Sequence, residues 1–311
     1  MLTTAADGSF SWNAMHSPIS LQLPGLDDVL ALAVARAVEA DLEATEQALS
    51  RFRPTADLAQ LNVRVGQWTA VPARLYKALA AAWRAQRLTE GLFDPRVIDR
   101  LEAYGYRGTA HDGAQRAADG ELWLQRDPRG YRVRLSAPAD LGGIGKGLGV
   151  RWAARIVRRI HGNFLLNAGG DLVAEGPGPE GRGWQIGIED PLDTSDVVAA
   201  LHLPRGGAVC TSSIARHIWQ HEGRTVHHLI DPRTGQPGGA GLLAVTVVAE
   251  DPAWAEVWSK ALFLRGASGI AEAAGARAVV WVTEGGQLQA NEAGRRLVFW
   301  RARRGGGRQK E

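Results

Sequence analysis

Closely spaced glycines surround one lysine in Asp140-Leu-Gly-Gly-Ile-Gly-Lys146-Gly-Leu-Gly149. Glycines let backbone N–H groups approach an anion, and a helix N-terminus just beyond them favours negative charge. A phosphate cradle is one reading; a glycine-rich turn packing a helix onto a sheet is the other. The segment is not a P-loop, because Gly147 follows the lysine where Ser or Thr is needed and Asp140 takes the first glycine's place. The glycine register of dinucleotide-binding folds is also absent.

His227-His228-Leu-Ile-Asp231-Pro-Arg233-Thr-Gly235 ends a β-run in residues suited to a tight turn. Either Asp231 bonds its own backbone in a hairpin, or one histidine faces a ligand with Asp231 or Arg233 organising the site. Strand side chains alternate, so at most one of His227 and His228 joins a given site. Asn167-Ala-Gly-Gly-Asp171 favours a hairpin turn over a ligand contact. Thr211-Ser212-Ser213 offers hydroxyls to a phosphate or simply ends a strand. Cys210 reads as a small buried residue, and no serine-hydrolase elbow is present. Glu256 and Lys260 stand four apart with the acid first, which on spacing alone is a surface ion pair on a helix.

The elements that must hold these residues follow from periodicity. Ile19–Leu23 reads as a strand, and Leu26–Ser50 as a helix with Leu30, Val34, Val38, Leu42 and Leu49 on one face. Val71–Thr89 is a second helix with Pro72 in its first turn. Glu121–Leu124 and Tyr131–Leu135 form a hairpin, and a helix runs from the glycine segment to about Ile160. Strands follow at Phe164–Leu166, Leu172–Glu175, Trp184–Ile188, Val197–Leu203, Ile218–Gln220, Val226–Ile230 and Leu243–Ala249. Helices at Ala253–Leu264 and Ile270–Ala274 precede a last hairpin, Val279–Val282 with Leu288–Ala290. Without regular βαβ alternation the fold class is α+β, and no linker divides it.

The 311 residues, 45% hydrophobic and 22% charged, are ordinary globular material. No apolar run approaches a membrane span, and the first residues do not read as a secretory signal, so a cytoplasmic protein is expected. The net charge of +3 and a pI near 9.3 invite a nucleic-acid reading. Its distribution argues against one. Residues 295–311 hold Arg295, Arg296, Arg301, Arg303, Arg304, Arg308 and Lys310 against Glu311, while the remainder is mildly acidic. The expected division is a domain over 1–294 and a disordered basic Arg/Gly-rich tail over 295–311. Lysine occurs only at 77, 146, 260 and 310.

In order, the motifs resemble the ApbE-type flavin transferases (FAD:protein FMN transferases). The likeness runs through Ala14-Met15-His16-Ser17, Ser50–Asn62, Gly91-Leu92-Phe93-Asp94-Pro95, Asp140–Gly147, Asn167–Asp171, Trp184–Pro191, Thr211-Ser212 and His228–Gly235. It implies a single α+β domain with an FAD site in a cleft. The implied reaction moves FMN from FAD onto a Thr or Ser hydroxyl of an acceptor flavoprotein and releases AMP. Met15, Phe52, Leu92, Phe93, Asp94, Asp140, Lys146 and His228 are the implied FAD-lining residues. Phe52 stands where tyrosine is common, which loses a hydroxyl but keeps a ring for stacking. His228 is the implied proton carrier and Lys260 a second catalytic candidate. The alternative is a degenerate member that binds flavin without transferring it, as a carrier or scaffold.

The resemblance also implies Mg²⁺ held by a loop carbonyl, here Gly143, and by an Asp and a Thr four apart on a late helix, here Glu256 and Lys260. Glutamate can substitute for aspartate, but an ammonium cannot ligate magnesium. Ser213 and Arg151 are smaller departures from the family pattern. No nucleic-acid partner and no membrane span are expected.

Overall fold

The computed structural model describes residues 2–5, 8–106, 121–215, 217–275 and 277–302. The chain opens with β1 (Thr3–Thr4), β2 (Phe10–Ala14), β3 (Ser17–Gln22), α1 (Asp28–Leu49), α2 (Asp57–Asn62), β4 (Thr69–Val71), α3 (Ala73–Leu88) and α4 (Ile98–Ala103). A middle stretch holds β5 (Leu122–Asp127), β6 (Gly130–Leu135), α5 (Gly145–Arg158), β7 (Phe164–Ala168), β8 (Asp171–Glu175), β9 (Trp184–Asp190) and β10 (Asp193–Leu203). There follow β11 (Gly206–Ser213), β12 (Ile218–His221), β13 (Arg224–His227), β14 (Leu242–Ala249), α6 (Pro252–Arg265) and α7 (Ile270–Ala274). The last are β15 (Ala278–Thr283), β16 (Leu288–Ala290), α8 (Glu292–Leu297) and β17 (Val298–Arg301).

Among the described residues, β1-β2-β3-β7-β8-β11-β14-β15-β16 form a nine-stranded sheet in that order. Every pairing in it is antiparallel, so no βαβ crossover is required and the fold is α+β. Smaller sheets are β17-β10-β9, β4-β6-β5 and β12-β13.

Side chains alternate across the large sheet. Phe164, Leu166 and Ala168 of β7 pack with Val34, Val38 and Leu42 of α1 and Val150 and Val157 of α5. Leu165, Leu172, Ala174, Val280 and Val282 face the other way, against Trp184, Ile186, Val198 and Leu201 of the β17-β10-β9 sheet. Both faces are covered, which is why these strands are nearly continuous apolar runs.

Two close approaches set up the cleft. A methyl group at Gly147 would come within 2.5 Å of the Pro252 carbonyl oxygen and 2.6 Å of Ala253 Cα, so glycine there lets α5 and α6 touch backbone to backbone. Ser259 of α6 and Ser212 of β11 share a hydroxyl hydrogen bond of 2.9 Å, which holds α6 on the sheet.

The structure corrects some expectations. Pro72 is the N-cap of α3 rather than part of its first turn, and Val71 pairs in β4. The strand expected over Val226–Ile230 ends at His227. β2 and β11 have no counterpart among the expected strands. Order also does not stop at residue 294. Arg295 and Arg296 lie in α8, and β17 pairs with β10 through Ala199↔Arg301 and Leu201↔Val298. Leu297 and Val298, set among the arginines, pack against the Trp184 core and bring the chain back to the sheet. The remainder of the expected tail, 303–311, lies outside the described residues. No described helix is long and apolar enough to cross a membrane.

Candidate functional site

A cleft of about 950 Å³ lies where the glycine segment, the Phe93 loop and the ends of the large sheet converge. Met15, Phe52, Leu92, Phe93 and Asp94 line it, as do Asp140, Gly143 and Lys146. His228, Glu256 and Lys260 complete the set, so every residue that the resemblance implied for the FAD and metal sites borders one space.

Met15 and His16 form the two-residue turn between β2 and β3, with φ of 53° and 55°. Left-handed backbone is costly for side-chain-bearing residues and persists only where neighbours hold it. Glu46 does so by accepting the Met15 N–H at 2.7 Å, and Arg53 in turn bonds Glu46 at 3.0 Å. Phe52 has the Arg51 guanidinium 4.3 Å from its ring centroid and the His16 ring 5.8 Å away, edge to face, and is part-exposed at the rim. Buried Arg51 reaches Asp140 at 3.1 Å. The Asn62 side chain bonds both backbone groups of Ala139 at 2.9 Å, which fixes the approach to Asp140. Asp94 is bound by the Arg96 side chain at 2.6 Å.

Only the second half of the glycine segment is helix, since α5 starts at Gly145 and Lys146 lies in its first turn. Its amides are partly used already. Gly142 N–H donates to Asp140 at 2.7 Å and Gly147 N–H to Glu256 at 2.7 Å, a carboxylate placed at a helix N-terminus. Lys146 forms an ion pair with Asp171, a partner that motif reading left in a hairpin turn. That hairpin exists too: Gly169 and Gly170 link β7 to β8 with φ of 62° and 95°. Burial works against the Lys146 charge, but Asp171 and Glu256 outweigh it and raise its pKa.

Glu256 and Lys260 are not a surface pair. Glu256 is buried, and burial, reinforced by Asp171, pushes its carboxyl up to about 8. A methyl group at Gly143 would come within 2.5 Å of Lys260 Nζ and 2.9 Å of the Phe93 ring, so the ammonium lies directly against the glycine segment. Burial lowers the Lys260 pKa, with Asp140 and Glu256 opposing. Spacing could not show this, because α6 is buried on nearly every side and has no solvent face for an ion pair.

His228 follows β13 directly and faces the cleft, whereas His227, the last residue of β13, turns towards Phe263. Asp231 serves the turn: it accepts Arg233 N–H at 2.9 Å and ion-pairs with the Arg233 side chain at 2.7 Å. Burial drives the His228 pKa well below the ordinary imidazole value, and Lys260 and His217 add to it. Its Nδ1 is buried with no hydrogen-bond partner among the described residues. The His217 ring, 4.8 Å away between centroids, also lines the cleft and was not evident from sequence. It precedes β12, and only the β12-β13 hairpin brings the two histidines together. Thr211 and Ser212 line the cleft from β11, and Cys210 is fully buried, its thiol pKa raised by that burial.

The donor set does not suit magnesium. Mg²⁺ requires six oxygens in near-octahedral array. The Glu256 carboxylate already accepts from Gly147, and the next turn of α6 presents an ammonium against Gly143. Among the described residues no group of three or more His, Cys, Asp and Glu side chains could hold a metal.

Comparison with known proteins agrees with this architecture. The ApbE family matches residues 15–280. The FAD:protein FMN transferase of Klebsiella pneumoniae strain 342 is 26% identical, over 78% of this chain and 74% of that protein. Its namesake from Haemophilus influenzae is 28% identical, over 74% and 71%. The crystal structure of the ApbE protein of Thermotoga maritima superposes with a TM-score of 0.79 at 25% identity, covering 96% of this chain and 99% of that one. The flavin transferase ApbE of Vibrio cholerae shares the fold, with a TM-score of 0.76 at 21% identity and coverage of 96% and 100%.

Proposed function

Because this chain belongs to the ApbE family, we propose that it is an FAD:protein FMN transferase acting on a Thr or Ser hydroxyl of an acceptor flavoprotein. The observation that carries this is the His228 imidazole, held neutral by burial and with no partner at Nδ1 among the described residues, sharing one cleft with the Lys260 ammonium. A phosphoryl-type transfer needs a group to take the hydroxyl proton and fixed positive charge for the phosphates. The acceptor oxygen bonds to the FMN phosphorus as the anhydride bond to AMP breaks. The hydroxyl proton passes to His228 Nδ1, and AMP leaves with the electron pair of the broken bond. Phe52, part-exposed at the rim, offers its ring to the flavin, while Phe93, Leu92 and Met15 supply apolar wall. Lys146, Asp140 and Asp94 complete the proposed FAD contacts. A cleft of about 950 Å³ is at the large end of small-molecule sites, which suits a dinucleotide.

FAD binding without transfer is the second reading. The observation in its favour is that the Gly142 and Gly147 amides are already engaged by Asp140 and Glu256, leaving fewer donors for a transition state. Incubating the protein with FAD and an acceptor domain, then searching by mass spectrometry for FMN-modified acceptor and free AMP, separates the two. Transfer yields both products. Tight FAD binding with neither product leaves the carrier reading.

A further inference from the structure

Of the two lysines in the cleft, only one is paired. Lys146 is held by Asp171, whereas Lys260 has no ion pair or hydrogen bond among the described residues and is half-buried in the cleft wall. Asp140, Glu256 and Asp171 attract it, and Lys146 and His228 repel it, without any of them bonding it directly. A half-buried ammonium whose donors meet no acceptor among the described residues is free to bond a ligand anion entering the cleft. Lys260 is also rigidly placed. Gly143 and the Phe93 ring close on its tip, and the Ser259–Ser212 bond beside it ties α6 to β11.

We propose that the Lys260 ammonium is this site's resident cation, standing at Gly143 and Glu256 in place of a divalent metal, so that FAD binds through its pyrophosphate without metal. This rests on the flavin reading of the cleft. Two positive bodies cannot share the space against Gly143, so the ammonium and a metal ion exclude one another there. The ammonium gives half the charge of Mg²⁺ but is permanently in place and donates up to three charge-assisted hydrogen bonds to phosphate oxygens.

The test uses the full chain, stripped of metal with EDTA and titrated with FAD by flavin fluorescence, with and without excess Mg²⁺. Wild type is expected to bind FAD equally, within about twofold, in both conditions. Lys260→Met is expected to weaken binding at least about tenfold in EDTA. Lys260→Arg, which retains the charge, is expected to bind without metal and guards against a folding defect in the methionine variant. Wild-type binding that collapses in EDTA and returns with Mg²⁺ overturns the proposal while leaving the flavin reading intact. Absence of FAD binding in both conditions overturns the flavin reading itself.

Discussion

At the scale of single residues, the chemistry depends on which charges are already spent. Lys146 and Asp171 are one ion pair, so Asp171→Asn leaves a largely buried ammonium without its partner. It is expected to destabilise the fold by about 3 kcal/mol, read from urea unfolding. His228 is the opposite case, a neutral ring with no partner at Nδ1 among the described residues. His228→Asn is expected to slow transfer by roughly 10²–10⁴-fold while changing FAD affinity little, measured as kcat against Kd. Because burial lowers the His228 pKa, the base form persists below the ordinary imidazole range. Transfer is lost only as pH falls through that lowered value. The acid limb of kcat/KM is therefore expected below pH 6.5, the unperturbed imidazole value; a limb above it argues against His228 as the base.

At the scale of elements, the α5–α6 contact positions Lys146, Glu256 and Lys260 together. Gly147→Ala drives a methyl group into the backbone of Pro252 and Ala253. The expected cost is about 1–3 kcal/mol, with a loss of FAD affinity as the two helices separate. Gly162→Ala is the control, since nothing lies within 4 Å of a methyl group there, and its effect is expected within about 0.5 kcal/mol. Equal effects in thermal melts of the two variants would show that the helix contact is not what glycine protects.

At the scale of the molecule, the large sheet separates a helical layer from the β17-β10-β9 layer, and both contribute to the cleft, the second through Ile186–Glu189 of β9. Trp184 links that second layer to the sheet, with its indole N–H donating to the Glu175 carbonyl at 2.9 Å. A chain ending at Asn291 loses α8 and β17, opening the β10 edge and uncovering the Trp184 core. It is expected to melt lower by roughly 5 °C or more, by differential scanning calorimetry. Basic composition at residues 295–301 is thus compatible with a structural role.

Much of this was legible in the sequence, for local reasons. Helical periodicity marked α1 almost to the residue, and the paired glycines of Asn167–Asp171 marked a hairpin. Motif order carried the family, because glycine segments and turn residues are chosen by backbone geometry that sequence spacing preserves. Partners could not be read in this way. Lys146 of α5 meets Asp171 at the start of β8, Arg51 meets Asp140 from 89 residues away in the chain, and His217 meets His228 through a short hairpin. Glu256 and Lys260 show the difference most directly. Their four-residue spacing states only that they share a helix face. Whether that face meets water or the interior depends on what packs against α6, and burial on nearly all sides turns an ordinary ion-pair pattern into a buried acid and an unpaired cation.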